Sequence, residues 1–118
     1  MEAREYVNSE YAKTLDTQGL RKAFLVERVF ETGKMTAVYS HVDRMIVGGI
    51  MPTTDAIALP VSKALGTEYF LARREMGLIN IGGAGVIEVD GVSYEVGARE
   101  AMYLSMGSKD VQFRSKDS

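Results

Sequence analysis

His41, Asp43 and Arg44, within Ser40-His41-Val42-Asp43-Arg44, form the densest polar cluster of this 118-residue sequence, and Arg73-Arg74-Glu75 is the second. An imidazole between a carboxylate and a guanidinium can move a proton or hold an anion, and paired arginines present planar forks that match a carboxylate. His41 is therefore the candidate base, and Arg44, Arg73, Arg74 and Asp43 are the candidates for gripping an anionic sugar-like substrate. Each has a plainer alternative: a histidine whose ring bonds backbone at a strand corner, or a solvated Glu-Arg pair at a strand end. With one histidine and no cysteine, a single chain offers no thiol nucleophile, no disulfide and no multi-histidine metal site. No metal ligand is assigned. Gly82-Gly83-Ala84-Gly85 lacks the Lys-Ser/Thr of a phosphate-binding loop and precedes a strand, so it is not read as a cradle. Met45, Met51, Met102 and Met106 read as core or interface filler.

The elements that must position these residues are strands. Val86 to Val89 and Val92 to Val96 are β-rich runs joined by Asp90-Gly91, the dipeptide of a type I′ turn, which predicts a hairpin. Ile87, Val89, Val92, Tyr94 and Val96 take buried sides, with Glu88, Ser93 and Glu95 opposite. Further strands are expected at Phe24 to Phe30, Met35 to Tyr39, Met45 to Met51, Thr67 to Arg73, Leu78 to Ile81, Ala101 to Leu104 and Val111 to Phe113. Phe24 to Phe30 also fits a helix when joined to residues 20–23. The turn Glu31 to Lys34 would pair the first two as a hairpin, and Gly48-Gly49 would break the third, buried one by a bulge or a close approach. Thr53 to Pro60 reads as a loop and Val61 to Leu65 as one helical turn.

Residues 1–22 read as an N-terminal arm with one or two short helical turns, one capped by Asp16 or Thr17; 23–113 form the β domain and 114–118 a frayed tail. Such strands with glycine corners predict a mainly β, antiparallel barrel or sandwich. A net charge of −2 with interspersed signs supplies no basic stripe for nucleic acid. No run approaches the roughly 20 apolar residues of a membrane helix, and MEAREYVNSEYAK has no apolar signal core. Neither nucleic acid nor membrane is an expected partner.

Three runs carry a family resemblance: AKTLDTQGLRKAFLVERVF (12–30), YSHVDRMIVGGIMP (39–52) and INIGGAGVIEVDG (79–91). They resemble, in order and spacing, the start of 5-keto-4-deoxyuronate isomerase, also called 4-deoxy-L-threo-5-hexosulose-uronate ketol-isomerase. The resemblance implies a cytoplasmic enzyme of pectin and uronate breakdown, converting 5-dehydro-4-deoxy-D-glucuronate into 3-deoxy-D-glycero-2,5-hexodiulosonate. It also implies a zinc-dependent homo-oligomer built from two cupin-like (jelly-roll) barrels. Glu75 and Gly82 fit the second half of a cupin's first motif. Its histidine positions are vacant, holding Glu68 and Phe70, or Tyr69 and Leu71, and Ser105-Met106-Gly107 and Asp110 only approximate the second motif. The resemblance places the zinc ligands in a second barrel absent here, so no cofactor is expected in this chain and the piece alone is expected to be inactive. Its other readings are an oligomerisation or scaffold module, or a standalone sugar-acid binder.

Overall fold

Asp90 and Gly91 take positive φ values of 47° and 85°, the geometry that lets a two-residue turn follow the twist of its strands. They join β6 (Gly85–Val89) to β7 (Val92–Val96) in antiparallel register, with Ile87 opposite Tyr94 and Val89 opposite Val92. The other face is charged: Arg114 meets Glu88 at 3.4 Å and Lys116 meets Glu95 at 2.9 Å. β9 (Val111–Ser115) pairs with the free side of β6, and the two-residue β4 (Ile57–Ala58) pairs with β9. The Asp90 carboxylate accepts the N–H groups of Lys109 (3.1 Å) and Asp110 (2.8 Å), so the hairpin turn also fixes where β9 begins.

The computed structural model describes residues 1–41, 44–60 and 65–116. Among them the strands form three sheets. Besides β4-β9-β6-β7 there is β1-β2-β3, built from β1 (Glu2–Arg4), β2 (Met35–Ser40) and β3 (Met45–Ile50), and the pair β5 (Met76–Ile79) with β8 (Ala101–Leu104). All pairings are antiparallel except β1 with β2. The mainly β, antiparallel expectation is met, and among the described residues the sheets do not close into a barrel. Two short helices lie near the N-terminus. α1 (Ser9–Ala12) is capped by the Asn8 side chain, and α2 (Thr17–Phe24) by Asp16, whose carboxylate accepts the Gly19 N–H at 2.8 Å.

Several expected elements differ. Phe24 to Phe30 forms no strand, because Phe24 ends α2 and both sides of β2 are occupied, by β1 and β3. Residues 25–30 instead lie over β3: the Thr36 hydroxyl donates to the Val29 carbonyl, and a Cβ on Gly49 would strike that same carbonyl and the Phe30 ring. Gly48-Gly49 is thus a close approach rather than a break, and β3 runs through it. β3 is not the buried strand expected either: of its six residues only Gly49 is buried. Thr67 to Arg73 is a series of turns, in which the neighbours Phe70 and Leu71 are both buried; a half-buried strand, whose side chains alternate, could bury only one of them. β9 extends to Ser115, into the segment expected to fray, and Thr53 to Pro60 contains β4. The helical turn expected at Val61 to Leu65 falls mostly outside the described residues.

The core gathers Phe70, Leu71, Ile87, Val96, Leu104, Val111 and Phe113. Four of the seven, Phe70, Ile87, Val96 and Phe113, also border the cleft between the sheets. A compact chain of this mass exposes about 6,300 Å² and one of this length has a radius of gyration of about 13.5 Å. The observed values are 8150 Å² and 15.7 Å. The chain is thus more open than a compact one: residues 1–30 include no buried residue, and a wide cleft lies between the sheets.

Candidate functional site

That cleft encloses about 1480 Å³ between the inner face of β2 and β3 and the β5 to β6 segment. Its interior is apolar, and Arg44, Arg73, Arg74 and Glu75 all line it. Arg44 stands at the turn before β3 with a positive φ of 51°, and Arg73 and Arg74 end the turn segment that follows the buried Phe70-Leu71 pair. Two stretches some 30 residues apart in sequence therefore bring three arginines to the lining of one cleft.

Arg74 is the fixed member. Its Nη1 donates to the Arg44 carbonyl at 2.7 Å and its Nη2 to the Tyr39 hydroxyl at 2.8 Å, while the guanidinium carbon lies 4.7 Å from the centre of the Tyr39 ring. Tyr39 is buried, at 8% exposure, so its ring holds the arginine in place by a cation–π contact as well as by the hydrogen bond. The Tyr39 ring in turn lies 4.9 Å from the His41 ring. His41 Nδ1 is 2.7 Å from the Arg4 carbonyl, which also accepts the His41 backbone N–H at 2.9 Å. A carbonyl can only accept, so Nδ1 carries the hydrogen and Nε2 is left as the second ring position. His41 does not line the cleft. The structure thus brings Arg44, Arg73 and Arg74 together and sets His41 behind them, reaching Arg74 through Tyr39; Asp43 lies outside the described residues.

Tyr39 is the member that sequence reasoning missed. Its tie to Arg74 spans 35 positions, and its place in an ordinary strand run carries no sign of it. The Glu75–Tyr103 pair was equally hidden: the Tyr103 hydroxyl donates to Glu75 Oε2 at 2.5 Å. This bond leaves the Glu75 carboxylate engaged with a phenol. It also raises the Tyr103 pKa above 10.0, because the phenol loses its hydrogen bond to Glu75 when it ionises. Since the folded-state value is the higher one, what this bond adds to stability is present below pH 10 and lost as the pH rises through the raised value. We expect the absorbance difference between the native protein and Tyr103→Phe at 295 nm to titrate above pH 10, and Glu75→Gln to lower that midpoint; an unchanged midpoint in Glu75→Gln would contradict the pairing.

The glycine run beside the arginines is braced rather than open-handed. Asn80 Nδ2 donates to the carbonyls of Gly83 (2.9 Å) and Val96 (3.0 Å), and its Oδ1 accepts the Gly82 N–H at 3.0 Å. Among the described residues no group of three or more His, Asp or Glu side chains could hold a metal ion, so the zinc that the resemblance implies does not fit the residues in view. Nor is any helix among them long and apolar enough to cross a membrane.

No family model matches the chain. Curated relatives do: it is 58% identical over 119 residues to the 4-deoxy-L-threo-5-hexosulose-uronate ketol-isomerase of Escherichia coli (strain SMS-3-5 / SECEC), covering 99% of this chain and 43% of that protein. The protein of the same name from Edwardsiella ictaluri (strain 93-146) is 54% identical over 120 residues, covering 100% of the chain and 43% of the relative. The chain therefore spans less than half the length of the curated relatives it matches. Along essentially its whole length, it corresponds to the N-terminal portion of 4-deoxy-L-threo-5-hexosulose-uronate ketol-isomerases.

Proposed function

We propose that the chain is the substrate-gripping N-terminal portion of a uronate ketol-isomerase, acting in the conversion of 5-dehydro-4-deoxy-D-glucuronate to 3-deoxy-D-glycero-2,5-hexodiulosonate. The observation that carries this reading is identity of 54–58% with enzymes of that name over 99–100% of the chain. The reaction moves a carbonyl to the neighbouring carbon, so it needs a base that takes and returns a proton and a group that stabilises the enediolate between. Neither is assigned to this chain, and no step is routed through a metal here. What its residues supply is a grip on the carboxylate that every uronate carries. Arg74, fixed by Tyr39 and by the Arg44 carbonyl, sets the geometry; the Arg44 and Arg73 side chains make no ion pair among the described residues and face the substrate. His41 acts behind them as a positioning residue for Tyr39.

The rest of the reading follows the family resemblance: a cytoplasmic homo-oligomer of cupin-like halves, with zinc held outside this portion. Subunit contacts would use β7, an edge strand whose Val92 and Tyr94 are 54% and 45% exposed. Calorimetric titration of the chain with the ketouronate and with its uncharged methyl ester tests the grip. Binding of the acid but not the ester is expected, weakened about tenfold by Arg44→Ala or Arg73→Ala, the loss of one charge-assisted contact. Affinities unchanged in both variants would refute the carboxylate role. No binding at all, with self-association retained, would leave the chain a scaffold.

A further inference from the structure

We propose that Arg4 is a positioning residue for Arg74: from the N-terminal strand it holds His41, and through His41 it holds the Tyr39 ring on which the Arg74 guanidinium rests. The inference relies on the reading above for what Arg74 helps to bind, and on the structure for the path of contacts. β1 is a strand with little reason of its own to be where it is. Glu2–Arg4 carries no large apolar side chain and none of residues 1–30 is buried, so core packing does not set its place beside β2. What it contributes is what Arg4 touches.

β1 runs parallel to β2 with Ala3 opposite Tyr39 and Arg4 opposite Ser40. That register brings the Arg4 carbonyl to His41, where its two lone pairs accept two hydrogens, the backbone N–H at 2.9 Å and the Nδ1 hydrogen at 2.7 Å. The second bond fixes the plane of the imidazole, whose centre lies 4.9 Å from that of the Tyr39 ring at a tilt of 45°, inside the range of aromatic pairs. Tyr39 in turn carries Arg74, by its hydroxyl at 2.8 Å and by its ring at 4.7 Å. The Arg4 side chain is anchored as well: Nη1 donates to the Leu25 carbonyl at 2.7 Å and Nε to Glu2 Oε1 at 2.8 Å, and the side chain is only 16% exposed. Arg4 is thus tied at its carbonyl and at its guanidinium, and Arg4, His41, Tyr39 and Arg74 form one connected path. Covering the edge of β2 needs only backbone. A histidine ring bonded to the covering strand and laid against Tyr39 adds nothing to that cover, but it does restrain the ring that holds the arginine.

The test compares the 118-residue chain with a form lacking residues 2–4 and with His41→Phe, which keeps an aromatic ring but has no hydrogen to give the Arg4 carbonyl. Glu10→Gln, which alters an exposed ion pair elsewhere on the N-terminal arm, is the control. Isotope-edited NMR of the Arg74 side chain, assigned by the signal lost in Arg74→Lys, reads how fast its guanidinium rotates about the Nε–Cζ bond, and calorimetry reads the affinity for the ketouronate. Both altered forms are expected to rotate about fivefold faster and to bind about fivefold more weakly, the scale of one lost aromatic contact. Glu10→Gln is expected to change neither. A guanidinium that rotates no faster in His41→Phe would overturn the proposal, whatever the deletion does. So would faster rotation with unchanged affinity, because Arg74 would then need no positioning in order to bind. If the form lacking residues 2–4 does not fold, His41→Phe decides by the same criteria. The two readings fail separately: faster rotation in the altered forms, with no ketouronate bound even by the unaltered chain, rejects the proposed function and leaves Arg4 as the support of Arg74, whereas carboxylate-dependent binding with an undisturbed Arg74 does the reverse.

Discussion

Leu71→Ala is expected to lower the stability of the chain by about 3 kcal/mol, within the 2–5 kcal/mol seen for buried leucine truncations. Leu71 is 1% exposed; the Gly107 N–H donates to its carbonyl at 2.8 Å, and with Phe70 it belongs to the buried cluster that includes Ile87, Leu104 and Val111. A small domain has only about 5–15 kcal/mol in total. The loss should be large here because this core consists of only seven buried residues, four of which already border an open cleft. Urea unfolding followed by circular dichroism checks this, with the midpoint falling and the slope unchanged. A shift equivalent to less than about 1 kcal/mol would mean that the turn segment collapses easily onto the space left, contrary to the close packing described.

Gly49→Ala is expected to cost about 2 kcal/mol and to free the segment 25–30, the second large effect. An added methyl would strike the Val29 carbonyl and approach the Phe30 ring carbons to 2.7 and 2.8 Å. The ring could turn aside, but the carbonyl is backbone and is itself held by the Thr36 hydroxyl. Either β3 shifts or the segment lifts away. Limited proteolysis should then cut between Leu25 and Phe30 in Gly49→Ala and not in the native chain. Gly77→Ala is the control, since a Cβ there meets nothing within 4 Å. Equal cutting of both variants would contradict the account of why residues 25–30 lie where they do.

What the sequence disclosed was local. The Asp90-Gly91 turn and the Asp16 cap depend on residues within a few positions of one another, and both are found where their chemistry puts them; the buried side expected of β7 is met only at Val96, since Val92 and Tyr94 are exposed. What it hid depends on competition over distance. Phe24 to Phe30 has strand composition, but its place beside β2 goes to β3 and to Glu2–Arg4, a charged strand with no apolar alternation to announce it. Phe70 and Leu71 look like strand residues and are buried together in a turn. The arginines of the candidate site were legible by type, because neighbouring guanidinium forks match a carboxylate. Their convergence was not, since it is set by the packing of Tyr39 against Arg74 across 35 positions.

The central claim is that this chain grips a ketouronate whose isomerisation is completed by groups outside it. Measuring 4-deoxy-L-threo-5-hexosulose-uronate turnover by the purified chain, and by the same chain extended with the rest of the E. coli relative, tests that most directly. The account predicts no turnover by the chain alone and turnover by the extended protein, with KM raised about tenfold by Arg73→Ala and kcat little changed. Turnover by the 118-residue chain alone, or an extended enzyme whose KM ignores Arg44, Arg73 and Arg74 alike, would contradict it.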